Sequence, residues 1–345
     1  MIKEAIRKIV DGISLTEEEA KVVAEEIIAG EASPVHTSAF LVALRMKGET
    51  IDEVVGMARV MREQMVKIVP QRRKHSVIVD TCGTGGDGQA TFNVSTITAF
   101  IVSAAGYTVA KHGNRAVSSH CGSADLLETL GIRIELSAEQ VSRCLDEVGI
   151  GFIFAPLFHP AMKNVMPVRR ELGIRTIFNI LGPLCNPASA NVQLLGVFSR
   201  PVVALLAESL SRLGAESAYV VYGNGIDEIT LSGKSYIGDV YKGKVAYLEL
   251  DPREYNFKYT ELDKFKTKSR EENCKIFVEI LNAVKNQFYD ISVLNAGVGI
   301  YLADRIARKN NIYTINDGIK LARELIDFGK VKEKFEEFRK FVAQL

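Results

Sequence analysis

From the N-terminus, apolar residues recur at helical spacing. Ile2, Ala5, Ile6, Ile9 and Val10 form one stripe, and Ala20, Val23, Ala24, Ile27 and Ile28 form a second. The polar residues between them carry start and stop signals. Thr16 with Glu19 and Thr50 with Glu53 have the spacing of capping boxes, Ser33-Pro34 opens a third helix, and Gly30 and Gly48 close their helices. Val54, Val55, Ala58, Met61 and Met65 continue as a fourth stripe. Such stripes make a bundle core or a subunit interface and require no catalytic role.

The period changes after a polar link, PQRRKH at residues 70–75. Short β-rich runs then alternate with helical ones: SVIVD (76–80), a helix from about Val94, YTVAK (107–111), a helix near 124–130, IRIEL (132–136), a helix opened by Ser137 with Gln140, and GFIFA (151–155). NVQLLGVF (191–198) and SAYVVYG (217–223) read as further strands, and residues 268–345 mostly as helices. The alternation predicts βαβ units and a mainly parallel sheet, whose ligands bind at the carboxyl ends of the strands. The expected fold class is α/β, with a small all-helical N-terminal domain and a larger α/β domain.

Composition narrows the function. The 345 residues are 47% hydrophobic, enough for a large core, and 43 basic against 42 acidic residues leave a net charge of +1. That balance argues against a general nucleic-acid binder. No apolar run is long enough to span a bilayer, and the N-terminus lacks a signal-peptide core, so neither a membrane partner nor secretion is expected. Cys82, Cys121, Cys144, Cys185 and Cys274 are scattered and odd in number, which indicates neither a disulfide framework nor a zinc site. A reducing cytoplasm is the expected setting.

The chemistry-bearing residues cluster. DTCGTGGDG (80–88) follows the first strand, NVST (93–96) opens the next helix, and KHGNR (111–115) ends the second strand. Glycine turns bring several N–H groups onto one anion, and a helix start favours phosphate. The turn matches neither the Walker nor the dinucleotide pattern, and alone it also reads as a plain connection. Asp87 conflicts with phosphate unless a Mg²⁺ ion or a sugar hydroxyl intervenes. GSADLLE (122–128) puts another small polar turn at a helix start. GNGIDEIT (223–230) sets Asp227 beside Glu228, a pair that calls for a nearby cation or is an exposed acidic turn. No Ser–His–Asp or Cys–His arrangement is evident, so no covalent nucleophile is expected.

Taken together, GTGGD, NVST, KHGNR followed by a serine pair, GSAD, the block HPAMKNVMPVRRELGIRTIFNILGPLCNP (159–187) and the Asp-Glu pair resemble the anthranilate phosphoribosyltransferase family over nearly the whole chain. His120 and Cys121 are less typical of it. The resemblance implies transfer of ribose 5-phosphate from phosphoribosyl pyrophosphate (PRPP) to the amine of anthranilate, in tryptophan biosynthesis. It implies a donor site lined by Gly83, Gly86, Asp87, Thr91, Asn93, Val94, Ser95, Thr96, Lys111, Ser119 and Ser123, and a Mg²⁺ site of Ser95, Asp227 and Glu228. On the acceptor side it implies Gly83 and Asn114, with Arg169 for the anthranilate carboxylate, since a guanidinium pairs with a carboxylate in bidentate fashion. His112 and His159 line the acceptor channel, take the late proton, or are structural. Ala155, Gly182 and Pro183 offer flat walls to an aromatic ring. Arg170 and Arg175 read as solvent or packing charges. The resemblance further implies a helical domain of residues 1–72 with a returning segment of about 162–182, an α/β domain of 73–161 and 183–345, and a homodimer through the helical domain. Two alternatives stay open: a pyrimidine nucleoside phosphorylase, and a non-catalytic relative that binds nucleic acid.

Overall fold

Helices α1 (Ile2–Val10), α2 (Glu17–Ala29), α3 (Pro34–Lys47) and α4 (Ile51–Gln64) form where the caps place them. The Thr16/Glu19 and Thr50/Glu53 boxes close in both directions, and Gly30 takes the left-handed conformation after α2. In the computed structural model the residues described are 1–71, 77–86, 88–116, 121–308 and 310–345. Most of the link at 70–75 and four expected residues of interest, Asp87, Ser118, Ser119 and His120, therefore lie outside the described residues.

Strands β1 (Ile78–Gly83), β2 (Thr108–Gly113), β3 (Ile150–Phe154), β4 (Val192–Gly196), β5 (Ser217–Tyr222), β6 (Ser235–Tyr241) and β7 (Lys244–Leu250) make one sheet in the order β3-β2-β1-β4-β5-β6-β7. The first five are parallel, and β6 and β7 run antiparallel to their neighbours. The chain winds outward from β1 to β3, then returns to lay β4 on the other side of β1. That reversal opens a crevice at the carboxyl ends of β1 and β4, where open α/β sheets bind ligands.

Helices α5 (Val94–Ala104), α6 (Ser123–Thr129) and α7 (Ala138–Glu147) connect the first three strands. Short helices α8 (Ala155–Phe158), α9 (Met166–Leu172) and α10 (Phe178–Leu181) carry the long block back toward β4, and α11 (Arg200–Arg212) leads to β5. Helices α12 (Arg270–Leu281), α13 (Gln287–Ala307), α14 (Ile315–Asp327) and α15 (Lys330–Ala343) complete the chain. One apolar core lies between the sheet and α5, α13, α14 and α15, with Phe100 against Phe277, Phe335 and Phe338. A second runs from the N-terminal helices through Val165, Val168 and Phe178 to α11. The block thus packs on the helical end: Asn164 Nδ2 donates to the Ile28 carbonyl at 2.8 Å, and Arg62 Nε to that of Leu184 at 2.6 Å.

Two elements differ from expectation. IRIEL is not a strand: residues 132–136 join no ladder, and Leu136 N–H turns back to the Ile134 carbonyl at 3.0 Å. Ile132, Ile134 and Leu136 alternate inward as in a strand, because one side of the segment packs on the core. The β6–β7 hairpin is not among the expected strands. Its turn, Lys242-Gly243, takes positive φ at both residues, the geometry that suits a two-residue hairpin. Among the described residues no helix is long and apolar enough to cross a membrane.

Candidate active site

The Asp227-Glu228 pair sits on a loop that starts with a tight turn. Gly223 N–H donates to the Ile226 carbonyl at 2.8 Å, with Asn224 and Gly225 at positive φ. Beyond the pair, Ile229 exchanges two hydrogen bonds with the buried Asn295 amide of α13. The loop then crosses the end of β4 so closely that a Cβ at Gly196 would lie 1.5 Å from the Asp227 carbonyl oxygen. Gly196 is register partner of Gly83, where a Cβ would lie 2.4 Å from Asp227 Oδ2. Glycine at these two ends is what lets the acidic loop reach the crevice.

Both carboxylates are held by backbone donors of the sequence motifs. Gly85 N–H donates to Asp227 Oδ2 at 2.9 Å, and Ser95 N–H to Glu228 Oε1 at 3.1 Å. Residues more than 130 positions apart are thereby joined at one spot. Ser95 completes it: its Oγ accepts from Lys111 Nζ at 3.1 Å, and its carbonyl accepts from Thr81 Oγ1 at 2.9 Å. Two carboxylates and a hydroxyl are a hard-oxygen set that suits Mg²⁺, which takes few protein ligands and keeps water or ligand oxygens for the rest. No group of three or more His, Cys, Asp or Glu residues placed to hold a metal occurs among the described residues. A dedicated all-protein cage is thus not what this site offers.

Lys111 lies deeper than a freely mobile phosphate ligand would. It is buried and also donates to the Thr81 carbonyl at 2.6 Å. Burial pushes its ammonium down from the ordinary lysine range, while Asp80, Cys82, Glu228 and Asp227 oppose that shift. Asp80 is fully buried beneath it. The desolvated carboxyl is raised, against hydrogen bonds from Asn186 Nδ2 at 2.8 Å and His112 N–H at 3.1 Å. Thr91 and Asn93 lead into α5, whose first residues, Val94 and Thr96, are buried. The Thr96 hydroxyl is buried without a hydrogen-bond partner. Ser123 opens α6 and donates to the Asn114 carbonyl at 3.4 Å, at the carboxyl end of β2. Burial raises the Cys82 thiol, and that of Cys121 to about 12, so neither is a thiolate nucleophile at neutral pH.

Across the crevice stands the block of residues 159–187. Arg169 is half-buried, its guanidinium 5.9 Å from the centroid of Phe178, and it has no acidic partner among the described residues. Burial lowers it from the ordinary arginine value. His112 and His159 lie with ring centroids 5.1 Å apart. Each ring bonds a backbone carbonyl, of Gly182 and Cys185 respectively, and each leaves a buried Nε2 without a partner. Burial pushes them down to about 3 and about 4, so both are neutral near pH 7. Pro183 is fixed by Gln193 Nε2, which donates to its carbonyl at 2.9 Å, and Ala155 begins α8 at the end of β3. Arg175 is not only a solvent charge. It donates to the Gly86 carbonyl at 2.9 Å and stacks over Phe198, so the block grips the glycine turn. Sequence reasoning missed that contact, as it missed the supporting roles of Asp80 and Asn186, inside the motifs, and of Asn295, outside them. Arg170 is exposed, in keeping with a solvent charge. Cavities of about 260 and 370 Å³ lie elsewhere, at the N-terminal helices and beside Arg62, and hold none of the expected site residues.

The histidine pair gives a pH dependence. In the unfolded chain both rings take up protons near pH 6.5, whereas in the fold they stay neutral until about pH 3 to 4. The stability they contribute is therefore complete above about pH 6.5 and is lost as pH falls toward 4. Melting temperatures across that window should fall less steeply in His159→Gln than in the parent chain; parallel slopes would show the rings to be protonated already in the fold.

Comparison with known proteins adds a second line. The family description "Glycosyl transferase family, a/b domain" matches residues 75–332, and "Glycosyl transferase family, helical bundle domain" matches residues 3–65. The chain is 48% identical to an anthranilate phosphoribosyltransferase of Pelotomaculum thermopropionicum, over 100% of this chain and 98% of the relative. The crystal structure of anthranilate phosphoribosyltransferase from Thermus thermophilus superposes with a TM-score of 0.90 at 42% identity, covering 98% of this chain and 99% of that one. The Saccharomyces cerevisiae enzyme, in complex with PRPP and Mg, gives a TM-score of 0.88 at 27% identity over 100% and 98% of the two chains.

Proposed function

This chain belongs to the anthranilate phosphoribosyltransferase family, and on that premise we propose how its crevice carries out the family's reaction. It transfers the 5-phosphoribosyl group of PRPP to the amine of anthranilate, giving N-(5-phosphoribosyl)anthranilate and pyrophosphate, with Mg²⁺ as cofactor, in tryptophan biosynthesis. The observation that carries the reading is the convergence of Asp227 on Gly85 and of Glu228 on Ser95 at the sheet's reversal point. Neither the phosphorylase nor the nucleic-acid alternative is favoured, since the acidic pair is intact and placed at the glycine turn.

Donor phosphates lie against the glycine turn at Gly83 and Gly86 and the start of α5, from Asn93 to Thr96, where the helix dipole favours anions. Thr91 and Ser123 border that surface, and Asp87 and Ser119 belong to it by resemblance. Lys111 supplies positive potential from below while orienting Ser95. Ser95, Asp227 and Glu228 hold Mg²⁺, which when bound neutralises charge developing on the pyrophosphate leaving group. Anthranilate lies opposite, its carboxylate on Arg169, with Asn114, Ala155, Gly182 and Pro183 around the ring. The aromatic amine is neutral at pH 7 and attacks without prior deprotonation. Its nitrogen bonds to the anomeric carbon as the carbon–oxygen bond to pyrophosphate breaks. The excess proton then leaves, to solvent or to a neutral Nε2 of His112 or His159. Positioning and leaving-group stabilisation therefore lower most of the barrier.

Residues 1–72 with about 162–182 form one domain in this reading, and 73–161 with 183–345 the other, the crevice lying at their hinge. The bond from Asn164 to Ile28 supports the returning segment. Exposed Val10, Val35 and Met46 on the N-terminal helices, with Ile13 in the link after α1, support a homodimer through that domain, and a cytoplasmic setting suits the five free cysteines. The test of the activity is anthranilate fluorescence with purified protein, PRPP and Mg²⁺. Fluorescence falls only in the complete mixture; a folded protein that leaves it unchanged removes the assignment.

A further inference from the structure

The segment that opens α5 is held from behind by residues just before and within α12. Residues 90–92 pair with residues 265–267: Thr267 N–H donates to the Ala90 carbonyl at 2.9 Å, Phe92 N–H donates to that of Phe265 at 3.2 Å, and Thr91 bridges Lys266. Directly after this pairing, Asn273 in the first turns of α12 reaches Asn93. Asn273 is 2% exposed, and its Oδ1 accepts from both Asn93 N–H, at 3.1 Å, and Asn93 Nδ2, at 3.2 Å.

The orientation of both amides follows from their other partners. Asn273 Nδ2 donates to Thr267 Oγ1 at 2.7 Å and to the Ser269 carbonyl at 3.2 Å, and a carbonyl only accepts. Asn273 Oδ1 is therefore the acceptor that faces Asn93. Asn93 Nδ2 also donates to the Cys121 carbonyl at 3.1 Å, so both of its hydrogens are spent within the protein. What half-buried Asn93 keeps for a ligand is its carbonyl oxygen, which accepts. A phosphate oxygen also only accepts, whereas the hydrogen-bond donors on PRPP near neutral pH are its ribose hydroxyls.

We propose that Asn273 is a positioning residue of the donor site, locking the Asn93 amide so that Oδ1 receives a ribose hydroxyl of PRPP rather than a phosphate. The proposal rests on the PRPP-transfer reading above. With Asn273 truncated, the Asn93 amide keeps only its bond to the Cys121 carbonyl, turns more readily to present its NH₂ group to the sugar, and the fixed acceptor is weakened. The contact contributes to binding the donor and none to binding the acceptor.

The test is steady-state kinetics of the full chain with both substrates varied, for Asn273→Ala, Asn93→Ala and the double variant. Asn273→Ala raises the PRPP KM by about tenfold and leaves the anthranilate KM within about twofold. The double variant is no worse than Asn93→Ala alone, because Asn273 acts through Asn93. Asn273→Ser, which leaves a smaller gap, gives the same pattern and serves if the alanine variant does not fold. Effects that multiply in the double variant, a PRPP KM that does not move, or equal rises in both KM values would each overturn the proposal. Failure of the parent chain to consume anthranilate would instead overturn the reading on which it rests.

Discussion

Replacing Asp227 with Asn and Glu228 with Gln together lowers turnover by about 100- to 1,000-fold and removes its dependence on Mg²⁺. The pair of substitutions isolates charge from shape. An Asn side-chain oxygen at position 227 still accepts from Gly85 N–H, and a Gln oxygen at 228 still accepts from Ser95 N–H, so the glycine turn and the start of α5 keep their tethers. What disappears is the negative charge that holds a divalent cation beside an anionic donor. Removing that charge also lifts repulsion toward the phosphates, so without Mg²⁺ the variant binds PRPP no more weakly than the parent. Mg²⁺-dependent turnover near the parental value in the double variant would place the metal elsewhere.

Arg169→Ala raises the anthranilate KM by about 10- to 100-fold with a far smaller change in kcat, because the lost interaction is made equally in the ground state and the transition state. The size follows from the environment. The guanidinium is half-buried, is lowered by burial, and has no carboxylate of its own among the described residues, so a ligand carboxylate is its natural partner. Arg169→Lys recovers only part of the loss, since an ammonium lacks the planar fork. The PRPP KM stays near its parental value. A rise in the PRPP KM with the anthranilate KM unchanged would move Arg169 to the donor side.

Local rules carried much of this far into the sequence. The capping boxes at Thr16 and Thr50, the short β-rich runs of β1, β2 and β3, and the glycine turn after β1 are each written in neighbouring residues, and they place the crevice by topology alone. The acidic pair was visible as chemistry, but its position was not. That depends on Gly196 and Gly83 leaving room for the loop, a contact between residues far apart in the chain. The IRIEL segment shows the converse. Its alternation reports burial of one face, and burial alone does not distinguish a paired strand from an unpaired stretch lying on the core. The β6–β7 hairpin had a legible signal in Lys242-Gly243 between alternating runs. Asn295 and Asn273 had none, because a supporting side chain is defined by what it touches and not by its own neighbours.

The central claim is that one crevice joins PRPP to the amine of anthranilate. Its most direct test is a stoichiometric balance in a single reaction: pyrophosphate released, anthranilate consumed and N-(5-phosphoribosyl)anthranilate formed, identified by mass spectrometry. The account predicts equal amounts of all three, each requiring Mg²⁺. Pyrophosphate released without loss of anthranilate, or sugar phosphate formed from a nucleoside and inorganic phosphate in its place, would contradict it.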